Sequence, residues 1–441
     1  MDVAELDQVY EAFSEFHAFF SPAFGRKQWR EHSKYYLQAL LVQSQERRNA
    51  ENLAEMVPVS ARALQRFLTE ARWDDAAVIA RLQEYLGPRL AHPLAVWVLD
   101  GSDFPKQGVK SVGVARQYCG TLGKVANCQA GVFLAHVGPR GRALVDQRLY
   151  LPEGWTQDPA RCAAAGVPEA QRQYRAKTDL ALEMLREARD RGYLSAPWVT
   201  GDDAFGMSPE FRDGLAAEGM QYVLEVPPNT PVWPLEPTWS SPAYQGRGRP
   251  RRPQPRPEER QSMTERGQGL PQEAWRQVKV AEGAQGPRTY WFSAQRVRET
   301  RDRQPGGVLW AVYRQNLDGS EPRYYFSNAP EDTPLETLAR VGGSRWPIET
   351  EFETEKSDVG LDEYETRTWA GWHHHITLCL LAGAFLLSLQ QDWGEKYAPD
   401  HPPAGVPGGA GDAAKGAVRA GRSAVLAGRC AVAQRAGQAL S

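Results

Sequence analysis

The order of predicted elements between residues 93 and 227 constrains this chain more than any other feature. Short β-branched and aromatic runs, LAVWVLD (94–100), NCQAGVFLAHV (127–137) and ALVDQRLYL (143–151), read as three strands. An amphipathic helix, TDLALEMLREARDRG, follows, then a strand in PWVTGDDAFG, a helix around 208–218 and a fifth strand, QYVLEVP. The order β-β-β-α-β-α-β predicts an α/β core. Its first strand is expected to end on Asp100 and its fourth on Asp202. Folding does not require an acid at the end of an apolar strand. A buried carboxylate without compensation is costly, so a cation or a basic partner is expected near each.

The 441 residues exceed one simple core, and two or three domains are expected. Residues 1–92 read as helical. Pro58 breaks the first periodic stretch, and Ser60 is a good N-cap for ARALQRFLTEARW. Two short helices with a tight turn fit a helix-turn-helix or a plain bundle. Residues 93–227 supply the first part of the core. Residues 228–334 interrupt it with a basic loop, WSSPAYQGRGRPRRPQPRPEER, and with short antiparallel strands in RTYWFSA, GVLWAVYRQ and RYYFSNA. Helical periodicity resumes over 335–395, and the Ala/Gly-rich 396–441 reads as a low-order tail.

Composition narrows the class. A hydrophobic content of 41% with 14 Trp and 16 Tyr excludes a disordered chain. Five cysteines without CxxC spacing predict free thiols in a reducing compartment. The first residues, MDVAELDQVY, lack a signal pattern, and no apolar run reaches the roughly 18–20 residues of a membrane span. A cytoplasmic protein without a membrane partner is expected. The net charge of −2 does not announce a nucleic-acid binder, so any such function rests on local basic surface.

The stretch SRWPIETEFETEKSDVGLD (344–362) carries the densest acids. Ser344 reads as an N-cap, with Pro347 in the first turn, where its missing N–H costs little. Ile348, Phe352 and Val359 form an apolar stripe. Arg345, Glu349, Glu353 and Lys356 follow a neighbouring one, and Glu351 and Glu355 are expected at the surface. Alone this is a charged helix face. Three carboxylates from two strand ends and a helix also suit a pair of Mg²⁺ ions, which take oxygen ligands and keep positions open for water and phosphate. Two local alternatives stand beside the assignment, Asp103 in a turn context beyond the first strand and Asp203 next to Asp202. Lys106, Lys110 and Arg116 follow Asp100 in a Gly-punctuated loop and fit either phosphate contacts or a solvated hairpin. Arg247 and Arg249, in RGRP, fit a basic loop on DNA phosphate or a minor-groove hook. Trp291 and Trp310 fill the core of the inserted sheet or stack on DNA. The run HHH (373–375) cannot converge on one ion, because successive helix residues diverge by about 100°.

These blocks together resemble a known family. DGSDFPKQGVKSVGVARQYCGTLGKVANCQAGVFL resembles the first catalytic block of bacterial insertion-sequence transposases, the DDE superfamily endonucleases. VTGDDAFG resembles their second block, and RWPIETEFETEKSDVGLDEYETRTWAGWHHHITL their third, which carries a Tyr-Arg-Glu-Lys signature. Arg345, Glu349 and Lys356 fit the signature's spacing, while Gly342 stands where its Tyr belongs. The resemblance implies an RNase H-like α/β core with a helical N-terminal domain and a β-rich insertion before the last acid. It implies that Asp100, Asp202 and Glu349 bind two Mg²⁺ ions, with Mn²⁺ as a substitute, and that Arg345 and Lys356 contact DNA phosphate. The implied activity is cut-and-paste transposition. A homodimer on paired ends would act on terminal inverted repeats and target DNA, in a bacterial cytoplasm close to the nucleoid. The rival readings are a decayed or domesticated transposase that only binds DNA, and a stand-alone nuclease of the RNase H type.

Overall fold

Side-chain caps set three of the helix starts in the first ninety residues. Asn49 accepts from the backbone N–H of Asn52, Ser60 from Ala63, and Asp74 from Ala76 and Ala77, each satisfying donors that a helix leaves open. The resulting helices are α1 (Val3–Phe20), α2 (Lys27–Val42), α3 (Ala50–Ala54), α4 (Ala61–Thr69) and α5 (Asp75–Leu90). The Ser60 cap lies where the sequence places it. The periodic stretch before Pro58 does not stay one helix, because α2 ends at Val42 and Asn49 starts a new one. This computed structural model describes residues 3–43, 46–241, 253–283 and 286–394. The expected tail at 396–441 lies outside the described residues.

The chain divides into two units, one of Met1–Ala196 with the chain from Trp346 onward, the other Pro197–Arg345. In the first, β1 (Val96–Pro105) and β4 (Gly141–Leu149) both pair antiparallel with β3 (Lys124–Gly138). The early part of β3 also pairs with β2 (Ala115–Cys119), a strand the sequence reading lacks. Helices α6 (Glu153–Thr156), α7 (Pro159–Ala164) and α8 (Lys177–Arg191) follow. Strand β1 does not stop at Asp100. Its partner β3 is 15 residues long and offers a paired position to every residue as far as Pro105.

The second unit opens with β5 (Trp198–Gly201), α9 (Asp203–Gly206), α10 (Pro209–Ala217) and β6 (Gln221–Val226), the last parallel to β5. Short strands β7 (Pro231–Trp233), β8 (Trp239–Ser240), β9 (Gln254–Pro255) and β10 (Gln261–Ser262) and helix α11 (Met263–Gln268) lead to a long antiparallel meander. It comprises β11 (Arg276–Gly283), β12 (Gly286–Arg301), β13 (Gln304–Gln315) and β14 (Arg323–Ser327), and β14 joins it to β6. The unit closes with α12 (Leu335–Gly343). Arg247 and Arg249 lie outside the described residues.

Two helices return the chain to the first unit, α13 (Trp346–Val359) and α14 (Trp369–Gly394). By length and composition α14 could cross a membrane, but 89% of its apolar window is buried within the protein. It packs on α2, α4, α5 and β4, so it is the central core helix of its unit. Each fully buried Leu or Ile on it is worth about 1.5–3 kcal/mol. Its three consecutive histidines point to three different partners. The His373 ring nitrogen bonds the Trp369 carbonyl at 3.0 Å. His374 stacks on Trp73 at 3.8 Å and bonds the carbonyls of Leu68 and Trp73. His375 donates from Nε2 to the Gly360 carbonyl at 3.1 Å, which leaves Nδ1 to accept from the Tyr36 hydroxyl at 2.9 Å. Burial pushes His375 down to about 4, which keeps this neutral tautomer.

Candidate active site

Asp100 occupies the middle of β1, opposite Phe133 of β3, and is 9% exposed. Its Oδ1 accepts the backbone N–H of Gly101 at 2.8 Å. Strand alternation puts the buried Ser102 and Phe104 on the same face as Asp100 and turns Asp103 to the other. Asp103 therefore lies within the strand, not in a turn beyond it. Its carboxylate is engaged with the Gly120 N–H at 2.6 Å.

Asp202 follows β5 directly and caps α9, with Oδ1 accepting from Ala204 at 3.1 Å. Burial pushes its pKa up, the Arg345 guanidinium pulls it back, and the neighbouring Asp203 pushes it up again. Asp203 itself is exposed. The rest of the DDAFG motif has a packing reason. Phe205 is buried against Phe211, and a Cβ on Gly206 would lie 1.8 Å from the Glu225 carbonyl oxygen. Only glycine lets β6 approach this turn.

Glu225 is a buried acid beside this site that the sequence reading did not single out. It is 8% exposed on β6, with Oε2 3.0 Å from Arg345 and Oε1 2.8 Å from Arg323. The argument applied to Asp100, an acid inside an apolar run, also singles out the Glu of QYVLEVP. Arg345 is half-buried, and it lies in the turn between α12 and α13, not on the α13 face. Ser344 is likewise no N-cap: it ends α12, and its Oγ donates to the Arg340 carbonyl at 2.8 Å. Gly342 is buried in α12, where a Cβ would lie 3.4 Å from Val223 and 3.6 Å from the Tyr325 ring. A side chain at this position would pack against Val223 and the Tyr325 ring of β14.

Glu349 falls in the first turns of α13, and its side chain lies outside the described residues. Its neighbours are not the surface residues expected. Glu351 pairs with Arg142 at 2.8 Å, and Glu355 is 3% exposed with one oxygen lacking a partner. The reason is α14: a helix apolar on all sides leaves no solvent beside it, and Gly383 makes room for the Glu355 carboxyl. Burial, then Glu351 and Asp358, hold the Glu355 pKa well above the ordinary carboxylate range. A carboxyl raised by folding destabilises the protein above its unfolded pKa and has no such effect below it. Glu355→Gln is therefore expected to stabilise the chain by about 1–3 kcal/mol at neutral to mildly basic pH and to change nothing in acid. Urea denaturation in both ranges measures this.

The proposed DNA contacts differ in exposure. Lys110 and Arg116 are exposed, and Lys356 is half-buried on α13 with no ion-pair partner among the described residues. Lys106 packs on the Tyr364 ring at 3.6 Å, with Nζ 3.3 Å from the Tyr364 carbonyl. Burial pushes it down to about 8, with Asp362 and Glu365 opposing and Arg47 reinforcing the shift. It is charged below that value and neutral above it. DNA binding through Lys106 is expected to weaken as the pH rises through 8, and Lys106→Arg to remove that component, as titrated by fluorescence anisotropy. Trp291 and Trp310 are both half-buried, their indole N–H groups donating to the carbonyls of Leu317 and Pro330. Trp310 also lines a cleft of about 360 Å³ with Arg276 and Thr333.

Among the described residues no three His, Cys, Asp or Glu side chains gather into a metal-binding group. Asp100 and Asp202 lie in different units, and each is described within its own. A family model for the DDE superfamily endonuclease matches residues 19–287, well over half of the chain. This chain is a DDE superfamily endonuclease. The matched region contains Asp100 and Asp202 and stops before Glu349. No curated protein matches the chain significantly. Among solved structures, the endonuclease is similar to a piggyBac transposase synaptic complex with hairpin DNA, determined by cryo-electron microscopy. The identity is 12% and the TM-score 0.41, over 96% of this chain and 79% of that one.

Proposed function

We propose that this endonuclease is the cut-and-paste transposase of a bacterial insertion sequence, acting in the cytoplasm on the ends of its own element. The observation that carries the reading is a pair of acids on apolar strands, Asp100 on β1 and Asp202 directly after β5, inside the matched family region. Asp100, Asp202 and Glu349 are the proposed holders of two Mg²⁺ ions, with Mn²⁺ able to replace them. The donors fit a hard cation, since all are carboxylates, and burial raises the Asp202 pKa in the way a nearby cation would relieve. When bound, such ions supply a Lewis acid for the phosphate and a water of lowered pKa.

The chain's own residues supply the rest. Arg345 brings a fixed positive charge close to Asp202, suited to the charge that develops on a phosphate. Lys356, Lys106, Lys110 and Arg116 are proposed to hold the backbone on either side, with Arg247 and Arg249 further out. Helix α4 buries Leu64, Phe67 and Leu68 and exposes Arg62, Gln65 and Arg66 on one face, a pattern suited to reading the terminal inverted repeats in a major groove. Joining two ends requires a homodimer on paired DNA.

The test is a cleavage and joining assay on duplexes ending in the repeats that flank the gene, with Mg²⁺ present. The wild type is expected to nick at the repeat end, leave a 3′-hydroxyl and join it to target DNA. Glu349→Gln should do neither, and repeat binding without any cleavage by the wild type would leave only a DNA-binding protein.

A further inference from the structure

We infer that Glu225 is a positioning residue that keeps Arg345 from neutralising Asp202. The inference rests on the reading of Asp202 as a metal ligand. Three charged side chains of one unit converge here. The Glu225 carboxylate divides its two oxygens between two guanidinium groups, Oε2 to Arg345 at 3.0 Å and Oε1 to Arg323 at 2.8 Å. Glu225 is buried, whereas Arg323 is largely exposed and Arg345 only half so. The ring of Tyr325, 3% exposed and set against Gly342, helps keep this side of β14 dry. In such surroundings a guanidinium keeps a carboxylate partner, because an unpaired charge there is costly.

Arg345 has Glu225 in contact and acts electrostatically on Asp202 beyond it. Without the negative charge on Glu225, the contact that draws Arg345 away from Asp202 is lost. An arginine fork closing on Asp202 would occupy the same oxygens that a divalent cation needs. Glu225 also acts through its main chain, since its carbonyl oxygen is the atom against which Gly206 packs, at the end of the turn that Asp202 caps. One residue of β6 therefore sets both the turn that carries Asp202 and the cation beside it.

The experiment measures Mn²⁺ affinity of the full chain by electron paramagnetic resonance, alongside nicking and the thermal midpoint. Glu225→Gln is expected to weaken Mn²⁺ binding about ten-fold or more, and adding Arg345→Gln to restore it. Arg345→Gln alone should bind Mn²⁺ at least as tightly as the wild type, which tests the idea even if Glu225→Gln fails to fold. Glu225→Asp, which keeps the charge, should fall between wild type and Glu225→Gln. Wild-type affinity in Glu225→Gln, no recovery in the double variant, or weaker binding in Arg345→Gln would each overturn the inference. If Asp202→Asn binds Mn²⁺ as the wild type does, the ligand assignment itself has failed, and the inference with it.

Discussion

Asp202→Asn is expected to lower strand nicking roughly a thousand-fold or more, while Asp203→Asn stays within a few-fold of the wild type. The two residues are adjacent, but their surroundings differ. Asp202 is half-buried, caps α9 and feels the charge of Arg345, whereas Asp203 is exposed in the first turn of that helix. Asparagine caps a helix about as well as aspartate, so Asp202→Asn should preserve the α9 turn and the thermal midpoint. What it removes is the negative charge and a hard oxygen donor. A rate loss without a stability loss identifies a chemical role for the side chain. Nicking on a labelled repeat end, paired with thermal unfolding of the same samples, reads both. Full activity in Asp202→Asn would move the assignment to Asp203 or abandon it.

Gly206→Ala should combine a roughly hundred-fold loss of nicking with destabilisation of about 1–3 kcal/mol. The added methyl would sit 1.8 Å from the Glu225 carbonyl oxygen, 2.9 Å from its carbon and 3.3 Å from a Val226 methyl. Two of those atoms are main chain in a strand paired on both edges, so they cannot swing away as a side-chain end does. The α9 turn has to move instead, and Asp202 moves with it. Gly154→Ala is the matched control, since a Cβ there meets nothing within 4 Å. Nicking rates and urea midpoints of the two variants separate a local clash from a general intolerance of alanine.

The element order of the α/β core was legible because each strand and helix has its own periodicity and its own punctuation. Ser60 caps α4 as read, and Asp202, read as the last residue of its strand, falls one residue past β5 as the cap of α9. What escaped depends on partners distant in sequence. Asp100 looked like a strand end because the residues after it have weak strand character, yet β3 pairs with them all the way to Pro105. Ser344 has the chemistry of a cap, but composition does not reveal whether such a residue opens one helix or closes the preceding one. Glu355 looked like surface because glutamates usually are, and its burial follows from α14, whose placement no local pattern reveals. Glu225 and Arg345 stand 120 residues apart, so their pairing was invisible although each residue was in plain view.

The histidines of α14 bear on how such an enzyme can change its DNA address. His374 is fastened to the main chain at Leu68 and Trp73, and His375 to the hydroxyl of Tyr36, so α2, α4 and the turn after α4 hold α14 through polar contacts as well as packing. Those helices carry the face proposed to read the repeats. A recombinant fragment beginning at residue 93 would uncover the apolar flank of α14 and is a poor candidate for soluble expression. Transplanting the reading helices onto another enzyme would carry the same burden, because α2, α4 and α5 pack on a segment encoded some 300 residues downstream. New repeat specificity in this lineage is therefore more accessible through substitutions on the exposed face of α4 than through exchange of whole modules.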